Sequence, residues 1–277
     1  MKLVDFDVYA ELLKERSGLV LTQDKMYLIE SRLNPIARKW NFNSLEALTM
    51  ELHGVPEKKL VEDVVEAMTT NETSFFRDMK PFENFENHVL PYLLQSRIHQ
   101  RKFRIWCAAA STGQEPYSLA MILKKHDSEF SRWKMEIIAT DIARNVLSYA
   151  KAGLYSQFEV QRGLPVQLLM EHFKQEKDGR WQISEAMRKL VTYQNFNLLD
   201  SMAALGQFEV IFCRNVLIYF DEKTKSDIFI RMAKALHDDG FLFLGGAETV
   251  IGLSDEFVPL PDIRGVYVKK NSLHLKK

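Results

Sequence analysis

FRIWCAAASTGQEPYSLAMILKK, residues 103–125, opens with a short apolar run, breaks at a string of small residues and resumes with apolar positions three and four apart. The pattern predicts a strand at Phe103–Cys107, a tight loop at Ala108–Glu115 and a helix at Pro116–Lys125. Pro116 presets the first helical turn and pushes Glu115 toward extended backbone at the helix mouth. The same alternation recurs downstream. Further strands are predicted at Met135–Thr140, Val191–Phe196, Phe208–Cys213, Phe241–Leu244 and Val266–Lys269, with helices at Ala143–Ala150 and Asp221–Leu236. In the last helix Ile228, Phe229, Met232, Ala233 and Leu236 form the buried stripe, Asp221 can cap the start and Gly240 lies just beyond the end. Strands alternating with helices indicate an α/β fold built on a parallel sheet with crossover helices.

Two regions depart from this alternation. The first eighty or so residues read as helices. Met26, Ile29, Leu33, Ile36 and Trp40 share one face, although Pro35 would kink or split that helix. Lys25, Arg32 and Lys39 recur every seven residues as a basic stripe, with Arg38 beside it. Ser44 can cap a short helix ending near Gly54. Pro56 can open another, in which Leu60, Val61, Val64, Val65 and Met68 point inward while Glu62, Asp63 and Glu66 face water. The second exception is 153–190, a polar and exposed insertion in which Phe173–Gln175 and Arg180–Ser184 read as a hairpin turned at Asp178–Gly179. The expected division is a helical domain and linker over 1–80, then a larger domain over 81–277 carrying the insertion. Met68 and Phe82 are expected in the core.

The 277 residues carry 37 Lys+Arg against 37 Asp+Glu, and 46% are hydrophobic. Balanced charge argues against a nucleic-acid protein relying on bulk charge. Two cysteines cannot build a disulfide scaffold; Cys107 and Cys213 end apolar strands and are expected to be buried, with no metal site. Met1–Ala10 is acidic without an apolar core, unlike a signal peptide, and no stretch is apolar enough to cross a bilayer. The expected location is a reducing compartment, the cytoplasm.

In an open α/β sheet ligands bind at the carboxyl ends of the strands. In the loop Ala108–Pro116, small residues and Gly113 would let a ligand approach the backbone, though alone it reads equally as a tight turn. It is neither G-x-G-x-x-G nor G-x-x-x-x-G-K-[ST], so phosphate-cradling glycines are missing. The second strand ends at Asp141, where a ribose diol is commonly gripped, the third leads to Asn197-Leu198-Leu199-Asp200 and the fourth to Cys213-Arg214-Asn215. Polar groups at four strand ends without phosphate glycines fit a nucleoside lacking a pyrophosphate, such as S-adenosylmethionine. Between two helical patterns, Thr69–Asp78 contains an unexpected Phe-Phe-Arg run. It is either a linker whose aromatics dock on the neighbouring domain or a flap over the cofactor with Arg77 turned inward.

NETSFFRD (71–78), RIWCAAASTGQEPYSLA (104–120), ATDI (139–142), NLLD (197–200) and FCRNVLIYFD (212–221) together resemble the CheR-type chemotaxis receptor methyltransferases in motif order and spacing, over nearly the whole chain. Ala110 and Gln114 stand where the family more often has Cys and Glu. The resemblance implies an all-helical N-terminal domain and a Rossmann-like methyltransferase sheet with an inserted small β-subdomain. It implies methyl transfer from S-adenosyl-L-methionine, leaving S-adenosyl-L-homocysteine, to glutamate side chains of methyl-accepting chemotaxis receptors. By position, Asn71, Thr73 and Arg77 would contact the cofactor. Glu115 would hold its methionine part, Asp141 the ribose, and Asn197 with Leu198 the adenosine end. Arg214 and Asn215 would complete the pocket.

On this reading Arg77 and Tyr219 are the catalytic candidates, Arg77 steering the acceptor carboxylate and Tyr219 offering a hydroxyl or ring wall; Tyr219 equally reads as a buried aromatic. The partner would be the cytoplasmic helical bundle of the receptors, met by the basic stripe or leaving that stripe a solvated helix face. The short turn Gln175–Gly179 suggests independence from the receptors' tether peptide. A monomer, no nucleic acid and no membrane insertion are expected. The alternatives are a methyltransferase for another acceptor, against which stands the absence of an [ND]-P-P-[YF] element, and a non-catalytic receptor-binding module.

Overall fold

The computed structural model of the chain describes residues 3–275. They divide into two compact units, one running to Thr70 and taking in Tyr219–Thr224, the other comprising Asn71–Ile218 and the chain from Lys225 onward. The first is built on helices α1 (Leu3–Ser17), α2 (Met26–Lys39), α3 (Leu45–His53) and α4 (Lys58–Met68). Each buries one stripe: Phe6, Tyr9 and Leu13 from α1, Ile29, Leu33 and Ala37 from α2, Leu45, Leu48 and Leu52 from α3. From α4 the five residues singled out by periodicity, Leu60, Val61, Val64, Val65 and Met68, are all buried. Ser44 caps α3, its Oγ accepting the Ala47 amide. The Tyr9 hydroxyl and Thr49 Oγ1 lie 2.8 Å apart, and burial pushes the phenol up to about 12.

Pro35 does not break α2. It lies on the exposed face, as does Ser31, so the carbonyl deprived of its helical bond can be hydrated. The basic stripe is also not simply a solvated surface. Arg32 Nη1 donates to the carbonyls of Met68 at 2.8 Å and Thr69 at 2.9 Å, closing the carboxyl end of α4, where a cation is favoured. Lys39 and the Trp40 indole both bind Asp63, drawing that carboxylate, expected in water, into the unit's own contacts. A β-bridge between Leu19 and Phe220 and a bond from the Val20 amide to the Tyr219 carbonyl at 2.9 Å tie 219–224 to these helices.

In the second unit the elements run α5 (Lys80–Asn84), α6 (Leu90–Ser96), β1 (Lys102–Cys107), α7 (Gln114–Lys125), β2 (Lys134–Asp141), α8 (Arg144–Ala152), β3 (Leu154–Tyr155), α9 (Gln157–Gln161) and α10 (Val166–His172). Then follow β4 (Phe173–Gln175), β5 (Trp181–Ile183), α11 (Glu185–Lys189), β6 (Val191–Asn195), β7 (Phe208–Cys213), α12 (Glu222–Ala235), β8 (Leu236–Leu244), β9 (Phe257–Pro259) and β10 (Val266–Lys269). Seven strands form one sheet in the order β6-β2-β1-β7-β8-β10-β9. The first five are parallel, and β10 and β9 are antiparallel additions. From β1 the chain steps outward through β2 to β6 and then crosses back to β7 on the other side of β1, so the switch point where such sheets bind ligands lies between β1 and β7.

Phe103, Ile105, Phe212, Phe241 and Phe243 from the sheet and Phe82 and Phe85 before it make one continuous core. Asp221 caps α12 as expected, accepting the Thr224 amide. Gly240 is not that helix's terminator. The chain passes from Ala235 directly into β8, and Gly240 sits in the strand where the β7–β8 register shifts. A Cβ there would lie 2.7 Å from Leu236 and 2.9 Å from the Glu209 carbonyl, so the glycine serves close strand packing. The insertion contains the foreseen hairpin β4–β5, plus an unforeseen third strand in the order β3-β5-β4. It is less polar than its composition suggested, because Tyr155, Phe173, Ile183 and Met187 are buried in the main core. Among the described residues no helix is long and apolar enough to cross a membrane.

Candidate active site at the carboxyl edge of the sheet

The loop after β1 is pinned to its neighbours by backbone bonds: the Ala108 amide donates to Phe212 and the Ala110 amide to Thr140. Ser111 follows with φ +48°, and its amide donates to Asp141 Oδ2 at 2.8 Å. The other Asp141 oxygen accepts the Ala143 amide at 2.9 Å, so this carboxylate, 8% exposed, is oriented from both the first and second strand ends. Ser111 Oγ donates to the Asn71 carbonyl at 2.6 Å. Gly113, φ +92°, does not leave room for a ligand. A Cβ there would lie 2.7 Å from the Tyr193 hydroxyl and 2.8 Å from the Ala150 Cβ, so its space is filled by the fold's own side chains.

Residues 71–78 are threaded along the same edge. Besides the Ser111 bond at Asn71, the Phe76 amide donates to Ser118 Oγ at 3.0 Å, and Phe75 and Phe76 are buried. The aromatic run is therefore an anchor: the phenylalanines dock, and Arg77 beside them is half-buried. Arg77 Nη1 donates to the Glu72 carbonyl at 2.8 Å.

Arg214, delivered by β7, is the electrostatic hub. Its side chain is 2% exposed, and Nη1 meets Glu115 Oε2 at 2.9 Å while Nη2 meets the Arg77 carbonyl and Asp78 Oδ2, each at 2.8 Å. Burial pushes the Glu115 carboxyl above its usual range, and the Arg214 charge works against that rise. The Cys107 thiol is pushed well up, chiefly by burial and then by the Glu115 charge; Cys213 is buried and likewise pushed up.

The other expected residues sit nearby or apart. Asn197 Oδ1 accepts the Leu199 amide, and Leu198 is buried with its carbonyl accepting from Arg231 at 2.9 Å. This turn follows β6, whose last residue, Asn195, donates to the carbonyls of Asp141 and Ile142. Thr73 is half-buried on the threaded segment. Tyr219 belongs to the helical unit.

Sequence reasoning missed Ser111 and, more consequentially, Glu248. The Glu248 carboxylate accepts the amides of Gly245 at 2.7 Å, Asn215 at 2.8 Å, Val216 at 2.9 Å and Leu217 at 2.7 Å. It thereby holds Asn215 in the left-handed conformation, φ +58°, immediately after Arg214. A Cβ on Gly245 would lie 2.7 Å from Glu248 Oε2 and 2.9 Å from the Asn215 amide. A signal existed, since a Gly-Gly pair and an acidic residue follow β8, the one strand of the parallel set whose end the sequence reading does not use.

Two family models cover most of the chain: residues 4–69 match the CheR methyltransferase all-alpha domain, and residues 71–264 match the CheR methyltransferase SAM binding domain. The chain belongs to the CheR methyltransferase family. It is 41% identical over 257 residues to the chemotaxis protein methyltransferase Cher2 of Pseudomonas putida, covering 92% of this chain and 93% of that one. It is also 41% identical to chemotaxis protein methyltransferase 1 of Pseudomonas aeruginosa (91% and 93%) and 38% identical to the chemotaxis protein methyltransferase of Vibrio parahaemolyticus (90% and 90%). The chain is thus an S-adenosylmethionine-dependent methyltransferase, with the all-helical domain and mostly parallel sheet that the motifs implied. Its residues fit that cofactor chemically. Glu115 is an acceptor suited to an ammonium and Asp141 one suited to a diol. Arg214 Nε is a buried donor with no hydrogen-bond partner among the described residues.

Proposed function

We propose that this CheR-family enzyme methylates glutamate side chains on the cytoplasmic helical bundle of methyl-accepting chemotaxis receptors, forming glutamate methyl esters in signal adaptation. The supporting observation is the pair of linked carboxylates at one sheet edge, Asp141 tied through Ser111 to Asn71, and Glu115 tied through Arg214 to the Arg77 backbone. S-Adenosylmethionine supplies a methyl group on a sulfonium whose charge is neutralised as the methyl leaves. Asp141 holds the ribose hydroxyls, Glu115 the methionine ammonium, and Asn197 with Leu198 the adenosine end, while Asn71, Thr73, Arg77, Arg214 and Asn215 complete the pocket. An acceptor glutamate, with an ordinary pKa of about 4.3, is already ionised near neutral pH and needs no general base. The work left to the protein is alignment of oxygen, methyl carbon and sulfur with water excluded. Arg77 orients the acceptor carboxylate through its planar fork, and Tyr219 is the second catalytic candidate. The enzyme acts as a cytoplasmic monomer and does not require the receptors' tether peptide; the compact Glu176–Arg180 turn, closed by a bond from the Gly179 amide to the Glu176 carbonyl, supports the latter.

The direct test is transfer of labelled methyl to purified receptor cytoplasmic fragments. Base-labile label is expected on fragments with their glutamates intact and not on Glu→Gln controls; label retained by the controls, or none on either, overturns the proposal. Asp141→Ala is expected to weaken S-adenosylhomocysteine binding by about tenfold to a hundredfold, the worth of hydrogen bonds to a charged acceptor. Unchanged affinity by calorimetry removes Asp141 from the ribose role.

A further inference from the structure

We infer that Arg162, on the inserted subdomain, is a positioning residue for Arg77 and acts through the Glu72 carboxylate. The inference rests on the proposed role of Arg77 in orienting the acceptor. Arg162 directly follows the short helix α9, and its Nη2 binds Glu72 Oε1. Glu72 in turn carries Arg77, because the Glu72 carbonyl accepts from Arg77 Nη1 across a five-residue loop. The Glu72 carboxyl is held below the ordinary carboxylate range first by its hydrogen bond to Arg162, then by the Arg162 charge and then by that of Arg77. One residue therefore serves both guanidiniums: the Glu72 carboxylate binds Arg162 from the insertion, and the Glu72 backbone carbonyl accepts from the candidate catalytic Arg77.

The next residue makes the same corner a clamp. Gly163 has φ +86°, and a Cβ on it would lie 2.1 Å from the Phe75 carbonyl oxygen. The insertion thus touches the segment at Phe75 by close backbone packing and at Glu72 by charge, on either side of Thr73 and Ser74. Inner bonds with Ser111 and Ser118 hold the segment's backbone to the loop after β1 and to α7, whereas among the described residues the Arg77 guanidinium is bonded only to the Glu72 carbonyl. Fixing the Glu72 end against the insertion narrows the orientations open to Arg77, and displacement of a positioning group by an ångström is enough to slow transfer. The insertion is on this account part of the active-site wall as well as a surface.

The test compares methyl transfer to receptor fragments by wild type, Arg162→Ala, Glu72→Ala, the double variant and Arg162→Lys, each also in an Arg77→Ala background. Glu72 and Arg162 are exposed, so thermal midpoints should not move. Arg162→Ala and Glu72→Ala should each lower kcat/KM about fivefold, and the double variant no further than the worse single one. Arg162→Lys should recover part of the loss, and Arg162→Ala should cost nothing more once Arg77 is alanine. A wild-type rate for Arg162→Ala, multiplying losses in the double variant, or an undiminished loss in the Arg77→Ala background overturns the inference. Full activity of Arg77→Ala alone is a separate outcome and overturns the underlying assignment of Arg77.

Discussion

Arg77→Ala is expected to lower methyl transfer about a hundredfold without unfolding the protein, the scale of a lost positioning contact in a reaction that depends on alignment. The backbone at this residue is held independently of its side chain, because the Arg77 carbonyl accepts from Arg214 and the Phe76 amide is bound by Ser118. Alanine therefore removes the guanidinium and leaves its platform. The acceptor carboxylate needs no deprotonation, so there is no base whose removal would give the same phenotype. The pairing must orient without quenching, since a tightly neutralised carboxylate is a poorer nucleophile. Lysine should rescue little, because a point charge lacks the fork that fixes two oxygens. The measurement is the initial rate of labelled methyl ester formation at saturating S-adenosylmethionine, with the thermal midpoint as control. A wild-type rate takes Arg77 out of the mechanism.

Arg214→Ala is expected to destabilise the sheet-bearing unit by about 3–5 kcal/mol, the range for removing one partner of a buried ion pair. The Arg214 side chain is 2% exposed and the Glu115 side chain 10%, so the deletion leaves a buried carboxyl without its cation. Burial already lifts the Glu115 carboxyl above its ordinary range even with Arg214 present, and deleting the cation removes the main force opposing that lift. A carboxyl whose folded pKa lies above its unfolded value binds protons preferentially in the folded state. Stability from that protonation is present below the unfolded value of about 4.3 and is lost as pH rises through the folded pKa. The variant's deficit relative to wild type should therefore be largest near pH 7.5 and shrink as pH falls toward 5. Denaturant unfolding at both pH values measures it. A deficit that is absent, or that grows on acidification, contradicts the hub role of Arg214.

Much of the architecture was legible because burial repeats locally. The apolar spacing of Leu60, Val61, Val64, Val65 and Met68 marks the inner face of α4, and the runs at Phe208–Cys213 and Val266–Lys269 coincide with β7 and β10. Asp141, Arg214 and Asn215 were found by asking which polar residues follow apolar runs, and Ser44 and Asp221 cap as their residue types suggest. The failures share a different origin. Arg32 looked like a surface charge because a seven-residue spacing says nothing of the α4 carbonyls it closes, thirty-six positions away in Met68. Gly113 looked like ligand space because the chain does not announce that Tyr193 and Ala150 occupy it. Gly240 read as a helix terminator because its strand begins where the helix stops, leaving no gap in the apolar pattern.

The amino-acid sequence alone determined that an all-helical region precedes a mostly parallel α/β sheet, and that polar groups crowd the carboxyl ends of its inner strands. These properties are periodic, and a period of two or 3.6 residues can be read within one element. Only the tertiary structure decided what those polar groups do to one another: Arg214 reaching back 137 positions to the Arg77 carbonyl, Glu248 gathering the amides that shape Asn215, and Arg162 sharing Glu72 with Arg77. A hydrogen bond across that much chain leaves no periodic trace, because its geometry is set by which strands become neighbours and not by the residues between them.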